Sequence, residues 1–198
     1  MENDQHIRLR LEALSHEPET LGRTLSILAL LTKVLTTDGI QPVLVGGKAV
    51  ELYTRGQHTS FDVDLVLRGR AKTDVRLQQL GFAKKRGERH WYHEVLDLAI
   101  EIPDDTLVGD MQRLTEIDTS DGSVWVIGVE DMILDRLRAC KHWRSTRDCE
   151  QAEAILTIHR TDIDLAYVQK QAVADNTDDL WAEILDRVAQ TRVFLDES

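Results

Sequence analysis

Long apolar runs are missing from this sequence of 198 residues, and it contains only two cysteines. No segment approaches the roughly 20 consecutive apolar residues of a membrane-spanning helix, so we expect no membrane partner. The first residues, MENDQHIRLRLEAL, are charged where a secretion signal is apolar, and we expect a cytoplasmic protein. Cys140 and Cys149 match neither a CxxC motif nor a disulfide framework. We therefore expect both cysteines to be reduced and partly buried.

An excess of positive charge is also absent, because the formal net charge is -11. This argues against a protein that coats nucleic acid through overall electrostatic attraction. A nucleic-acid partner would have to meet a local basic patch, and two segments qualify. The first patch contains Lys84, Lys85, Arg86 and Arg89. The second patch contains Arg136, Arg138, Lys141, Arg144 and Arg147. The alternative to nucleic-acid binding is that both patches are ordinary charged surface, the first on a loop and the second on a helix face.

The sequence does contain 42% hydrophobic residues, enough for one compact domain with additions. Apolar periodicity and turn signals predict the elements in chain order. These are a helix over 19–37, a strand over 42–45, a helix over 48–55, a strand over 61–67, a helix over 73–80, strands over 95–102 and 122–126, and helical segments over 129–159 and 163–195. The pattern predicts an α+β fold with a small mixed β-sheet flanked by helices and a C-terminal helical subdomain. We expect three parts: an N-terminal helical segment (1–38), a core (39–128) and the helical subdomain (129–198).

Two carboxylates lie in the predicted strand SFDVDLVL. Side chains alternate along a strand, so Asp62 and Asp64 share one face while their apolar neighbours form the other. Two close carboxylates repel each other and raise each other's pKa unless a cation lies between them. Mg²⁺ prefers such hard oxygen ligands together with substrate phosphates. The pattern therefore indicates a magnesium site, although on a solvent-facing edge strand the same pair would be ordinary surface.

A pair of glycines, Gly46 and Gly47, lies between the first predicted strand and its helix. Glycines at such a turn let the backbone approach a phosphate, and the free N–H groups of the helix point toward the anion. Lys48 is near enough in sequence to help neutralise the phosphate. A tight turn without a ligand is the alternative interpretation.

A third acid would make a two-metal site for phosphoryl transfer. The strand LDLAIEI offers Asp97 and Glu101, which share one face. Four residues of strand span roughly 13 Å, so only one of them can meet Asp62 and Asp64. Alternation along the strand does not choose between them.

Three segments together carry a resemblance: LVGGKAV, then SFDVDLVL, then a third acid in AIEIP. This order resembles the nucleotidyltransferase superfamily typified by DNA polymerase beta. More narrowly, LAIEIPDDTLVGD and VEDMILDRLRACKHWRSTRDCEQAEAIL resemble small bacterial and archaeal nucleotidyltransferases, several of which belong to toxin–antitoxin or abortive-infection modules. The resemblance covers roughly residues 39–164 and identifies residues 39–128 as the nucleotidyltransferase core.

The resemblance implies a role for each motif residue. It places Gly46 and Gly47 on the nucleotide phosphates and Asp62 and Asp64 on two Mg²⁺ ions, and it favours Glu101 over Asp97 as the third acid. Glu101 would ligate the reactive metal or accept the proton of the acceptor hydroxyl. The superfamily often has serine where this chain has Gly47. An Arg and a Thr commonly precede the two aspartates in the relatives; here Thr59 is present, but Arg55 lies earlier, so its role stays open.

The helix that begins near 129 lies where relatives close over the nucleotide. There Lys141 would reach a triphosphate and Trp143 would stack on a base. The alternative is an intrahelical pair of Asp135 with Arg138 or Arg136, and a Trp143 in the core between helix and sheet. We expect the core position for Trp143, and both interpretations of Lys141 stay open. We expect a further segment to lead into the strand of the third acid rather than to bind zinc; it contains His90, Trp91, Tyr92 and His93.

The implied activity is transfer of a nucleoside monophosphate from an NTP to a hydroxyl acceptor, with release of pyrophosphate. RNA, a protein and a small molecule are all open as acceptors, and a partner protein from a toxin–antitoxin module is also implied. The alternative is a non-catalytic protein on a degenerate nucleotidyltransferase fold that senses nucleotide or serves as an antitoxin-like partner.

Overall fold

A computed structural model describes residues 2–84 and 88–196, with side chains described for residues 5–84 and 88–190. Six strands in this part of the chain form one mixed sheet in the order β3-β4-β2-β1-β6-β5. The strands are β1 (Val43–Val45), β2 (Val63–Val66), β3 (His90–His93), β4 (Leu98–Glu101), β5 (Thr115–Thr119) and β6 (Gly122–Val126). Strand β1 pairs antiparallel with β2 and parallel with β6, while β2 pairs parallel with β4. The outer pairs, β3 with β4 and β5 with β6, are antiparallel.

Helices surround the sheet, which gives the predicted α+β class. They are α1 (Glu2–Ser15), α2 (Leu21–Thr36), α3 (Gly46–Tyr53), α4 (Arg70–Gln79), α5 (Val129–Trp143), α6 (Thr146–His159), α7 (Leu165–Ala174) and α8 (Asp178–Asp196). Helix α2 starts where the hydroxyl of Thr20 accepts a hydrogen bond from the Arg23 N–H. It is apolar on most sides because it lies between α1 and strand β6, and Ile27, Leu28 and Leu31 are all buried. Helix α3 packs on β1 and β2 and on α6, so the sheet and the C-terminal helices share one core.

The segments predicted to be helical over 129–159 and 163–195 are helical, but each is divided into two helices, which the sequence did not predict. Arg144 and Asn176 adopt left-handed backbone conformations, with φ of 52° and 56°. Residues other than glycine and asparagine rarely adopt this conformation, so Arg144 carries no sequence signal for a helix end. The hydroxyl of Ser145 accepts a hydrogen bond from the Asp148 N–H and begins the next helix. The C-terminal part is therefore the four helices α5 to α8.

The expectation that both cysteines are reduced is wrong. Cys140 on α5 and Cys149 on α6 form a disulfide, with a Cα–Cα distance of 5.1 Å. Their spacing of nine residues was interpreted within one continuous helix, where the two side chains would lie far apart. The turn at Arg144 reverses the chain, and α5 and α6 then pack side by side. The disulfide thus fixes the end of α5 to the start of α6.

Strand β3 was predicted only as a segment leading into β4, and β5 was not predicted. None of the helices in the described residues combines the length and apolar character that crossing a bilayer requires. The division of the chain at residues 38 and 128 stays a prediction.

Candidate functional site

A row of side chains crosses four neighbouring strands of the sheet. Asp64 lies opposite Glu101 in the parallel pair of β2 and β4, and His90 lies opposite Glu101 in the antiparallel pair of β3 and β4. On the other side, Asp64 lies opposite Val45, the last residue before the glycine pair 46–47. Side chains of residues in register project from the same face of a sheet. The fold therefore places the acidic pair Asp64 and Glu101 beside the glycine turn.

Asp64 is half-buried within this row. Burial raises its pKa, and the neighbouring charges of Glu101 and Asp62 raise it further. The backbone N–H of Gly47 donates a hydrogen bond to the Asp64 carboxylate and acts in the opposite direction. A cation beside these carboxylates would remove the repulsion that raises the pKa.

The two glycines are required by close contacts at the start of α3. Gly46 has φ of +63°, and a Cβ atom on it would lie 2.9 Å from Cγ of Asp64. A Cβ atom on Gly47 would lie 2.7 Å from Cβ of Ser60. Residue 46 therefore has to be glycine for the Asp64 carboxylate to lie at the turn. The side chain of Ser60 fills the space beside Gly47. Sequence reasoning missed this contact because, within SFDVDLVL, it assigned roles only to the two aspartates.

The structure brings Glu101, and not Asp97, beside Asp64. Asp97 lies in the turn before β4 with φ of 47°, is exposed, and accepts a hydrogen bond from the hydroxyl of Tyr92. Glu101 is only 13% exposed, and its two carboxylate oxygens contact Arg89 Nη2 and His90 Nε2, the latter at 3.0 Å. The predicted strand over 95–102 is in fact a turn followed by β4, which resolves the choice that alternation left open.

Asp62 is exposed and lies in a bend one residue before β2, although the sequence predicts a strand over 61–67. Its charge still acts on Asp64.

An open cleft of about 370 Å³ lies between this row and helix α5. Gly46, Asp64, Glu101 and Arg89 line it from the sheet side. From α5 it is lined by Asp135, Arg136 and Trp143. The cleft is therefore bounded by both the sheet and the C-terminal helices.

Two predicted binding residues do not line the cleft. Lys48 is buried and pairs with Glu51 at 2.9 Å, and the same Glu51 oxygen accepts a hydrogen bond from the Ser60 N–H. Lys141 pairs with Asp179 at 2.7 Å and also donates to a backbone carbonyl, so it links α5 to α8. Lys141 thus connects two helices in the structure, a pairing that the sequence did not predict.

The expectation that Trp143 belongs to the core is wrong, because its side chain is 81% exposed at the edge of the cleft. Helical periodicity predicts which face of a helix is apolar, but Trp143 is the last residue of α5, where the helix extends past the sheet. The exposure of Trp143 could therefore not be predicted from the sequence.

The predicted basic patches have different outcomes. In the second patch, Arg136 pairs with Asp135 and Asp148, and Arg138 pairs with Asp175. Acidic partners thus offset much of its charge. In the first patch, Lys84 lies over the Trp91 ring at 5.7 Å and Arg89 lines the cleft, whereas Lys85 and Arg86 lie outside the described residues.

The carboxylates of Asp62, Asp64 and Glu101 supply the oxygen donors that Mg²⁺ prefers, and the turn at Gly46 leaves Asp64 room that a Cβ atom would fill. Among the described residues, no group of three or more His, Cys, Asp or Glu side chains is already arranged to hold a metal ion. Glu101 instead directs its two oxygens to Arg89 and His90, and Asp62 lies exposed in the bend before β2. The donor chemistry fits magnesium, and engagement of Glu101 would require a change of partner.

Comparison with known proteins supports the fold. A scan against protein-family profiles and a search of curated proteins give no match. The chain is similar to a crystal structure of an antigenic nucleotidyltransferase-like protein from Paracoccidioides brasiliensis, with a TM-score of 0.58 and 16% identity over 83% of this chain and 91% of that chain. At this identity the likeness concerns the fold alone, so the chain has the fold of a nucleotidyltransferase-like protein.

Two further solved structures match more distantly. They are ANT(2'')-Ia in complex with adenylyl-2''-tobramycin (TM-score 0.47, 14% identity, 79% of this chain and 94% of that chain) and the lincomycin-bound lincosamide antibiotic adenylyltransferase LnuA (TM-score 0.43, 15% identity, 64% and 92%). TM-scores below 0.5 support no inference about this chain.

Proposed function

We propose that this protein is a magnesium-dependent nucleotidyltransferase that transfers a nucleoside monophosphate from an NTP to a hydroxyl acceptor. The observation that carries the proposal is the position of Asp64, which lies in register with Glu101 and against the glycine turn that begins α3. A nucleotidyltransferase-like fold also supports it. Acids paired this closely, next to a helix N-terminus that opens on a cleft, suit the binding of a divalent cation with a triphosphate.

In the proposed reaction, the acceptor oxygen attacks the α-phosphorus in line. The new bond joins this oxygen to phosphorus, the bond from the α-phosphorus to its bridging oxygen breaks, and its electron pair leaves with pyrophosphate. Glu101 is the carboxylate placed to hold the proton that the acceptor loses, or to serve as a ligand beside Asp62 and Asp64. Two Mg²⁺ ions, when bound with NTP, would neutralise phosphate charge and polarise the reacting oxygens.

The other contributions of the chain are positioning and shape. The turn at Gly46 and Gly47 lets backbone approach the phosphates, and the helix that follows directs free N–H groups toward them. The exposed ring of Trp143 at the other side of the cleft offers a flat surface for a base. Holding the reactants in line is a large part of the catalysis we expect from such a site.

A transfer assay tests this proposal. Each of the four NTPs, labelled at the α-phosphate, is incubated with Mg²⁺ and with separate pools of RNA, protein and hydroxylated small molecules. We expect the wild type to label one pool and release pyrophosphate, and Asp64→Asn to lower the rate by at least about a hundredfold. Asp97→Asn is the matched control, because it removes the same charge from the turn before β4, away from the row. Transfer by Asp64→Asn at the wild-type rate would overturn the proposal.

The pool that becomes labelled identifies the acceptor class. RNA and protein are the acceptors that the resemblance to toxin-module proteins favours, and the same resemblance leads us to include a partner protein among the candidates. The pairing of Arg136 and Arg138 with acids weakens the case for RNA at that surface.

One observation favours the second candidate, a non-catalytic protein that senses nucleotide. Both oxygens of Glu101 are held by Arg89 and His90, so the third acid is engaged away from a metal. This candidate predicts saturable binding of NTP with no label in any of the three pools. Label in any pool excludes it.

A further inference from the structure

Arg89 lines the cleft, and apart from its place in the first basic patch it has no role in the proposed reaction. It lies immediately before β3, its side chain is 78% exposed, and its guanidinium contacts Glu101 Oε1. His90 contacts the other oxygen of the same carboxylate at 3.0 Å. The acid proposed to work in the reaction is therefore covered on both oxygens.

Two other cations near the site have acidic partners. Arg136, the other basic residue that lines the cleft, pairs with Asp135 and with Asp148, the latter at 2.7 Å. Lys48 pairs with Glu51 at 2.9 Å. The acid that Arg89 contacts, in contrast, belongs to the proposed metal site.

The pair of Arg89 and Glu101 has the properties of an exchangeable contact. Glu101 faces the like charge of Asp64 in the neighbouring strand. The guanidinium of Arg89 contacts Glu101 Oε1, where a positive charge favours the ionised carboxylate. Because the guanidinium is mostly exposed to water, its attraction to Glu101 is weak and easily replaced. A guanidinium that leaves Glu101 stays at the wall of the cleft where the phosphates of a nucleotide would lie.

We propose that Arg89 exchanges partners: it holds Glu101 while the site contains no metal, and it binds the polyphosphate of the nucleotide once Glu101 is released to the metal. This inference rests on the proposed function and adds a nucleotide-binding residue to it. Arginine suits the second role because its planar guanidinium binds phosphate oxygens in pairs. The exchange couples the two binding events, since removing Arg89 from Glu101 favours the metal and leaves the guanidinium available for phosphate.

The test measures two affinities by calorimetry, with no turnover involved. The first is that of Mn²⁺ without nucleotide, and the second is that of an α,β-methylene NTP analogue with Mg²⁺, using the nucleotide that the wild type binds most tightly. We expect Arg89→Gln to raise the Mn²⁺ affinity about twofold to fivefold, because a competitor for Glu101 is removed. We expect the same variant to lower the affinity for the analogue about tenfold or more, because a charged contact with phosphate is lost.

Two further variants act as controls. Arg89→Lys keeps the positive charge, so it should retain more of the analogue affinity than Arg89→Gln does. Arg8→Gln removes the same charge from an exposed position on α1 and should change neither affinity. Thermal denaturation of each variant checks that it is folded.

Opposite shifts of the two affinities support the exchange, because a merely structural role of Arg89 would lower both or change neither. Both affinities unchanged, or both lowered, in Arg89→Gln would overturn it. If the wild type binds and transfers nucleotide while Arg89→Gln behaves like it, the inference alone fails. If the wild type binds neither Mn²⁺ nor any nucleotide, the proposed function fails with it.

Discussion

The contact between Gly46 and Asp64 gives a prediction about stability that can be worked out from distances. Substituting alanine for Gly46 has two effects. It forces a side chain into a left-handed conformation, with φ of +63°, and it places a Cβ atom 2.9 Å from Cγ of Asp64. The first effect costs about 1–2 kcal/mol of unfolding free energy, and crowding of this kind costs about 1–3 kcal/mol. We therefore expect Gly46→Ala to lower the unfolding free energy by about 2–5 kcal/mol.

Two comparisons separate these effects. Gly56 also has a left-handed backbone, with φ of +84°, but a Cβ atom there would meet nothing within 4 Å. Gly56→Ala should therefore cost only the backbone contribution of about 1–2 kcal/mol. In an Asp64→Ala background Oδ2 and Cγ are gone and only the Cβ atom of residue 64 remains close, at 3.1 Å, so most of the crowding cost of Gly46→Ala should disappear.

The assay is urea denaturation of the four proteins of this double-mutant cycle, with Gly56→Ala measured beside them. If Gly46→Ala costs the same in both backgrounds, within about 0.5 kcal/mol, the glycine turn does not pack against Asp64. The reasoning that places the acid against the glycine turn would then be refuted.

Three other predictions concern regions outside the acidic row. Arg10 donates two hydrogen bonds to the buried Asp121 and lowers the pKa of that carboxyl group. The resulting stabilisation is present above the ordinary carboxyl pKa and is lost as the pH falls through the lowered pKa of Asp121. Urea denaturation should therefore show that Arg10→Gln lowers the unfolding free energy by about 1–3 kcal/mol at pH 7 and by much less near pH 2. Reducing the disulfide between Cys140 and Cys149, nine residues apart, should lower the unfolding free energy by about 2–3 kcal/mol, and free thiols in the non-reduced protein would contradict the pairing. Trp143→Ala should change stability by less than about 0.5 kcal/mol, because the ring is exposed; a larger loss would place it in the core.

Local patterns in the sequence predict much of the fold around the site. The helix predicted over 19–37 is observed as Leu21–Thr36, and the order of strand, glycine turn, helix and strand around Gly46 is confirmed. These elements have strong periodicity or a glycine signal, so neighbouring residues determine them. The nucleotidyltransferase-like fold, which the resemblance implied, is also confirmed.

Features that depend on long-range packing were not predictable. Alternation along a strand gave Asp97 and Glu101 equal standing, and the pairing of β4 with β2 decides which one meets Asp64. The turn at Arg144 has no glycine, so neither the helix end nor the pairing of Cys140 with a cysteine on the next helix could be seen.

Two contacts at the site were missed for the same reason, although both residues lie in segments that the sequence singles out. Arg89 reaches Glu101 because β3 and β4 form a hairpin, and Ser60 fills the space beside Gly47 because the loop before β2 turns back on α3. Neither contact has a signal in local sequence.

The most direct test of the central claim is a crystal structure of the protein with Mg²⁺ and a non-hydrolysable NTP analogue. The account predicts density for the triphosphate in the cleft between Asp64 and α5, metal density at the carboxylates, and a Glu101 that no longer contacts Arg89. Nucleotide bound elsewhere on the protein, or a Glu101 still held by Arg89 and His90 with no metal density beside Asp64, would contradict it.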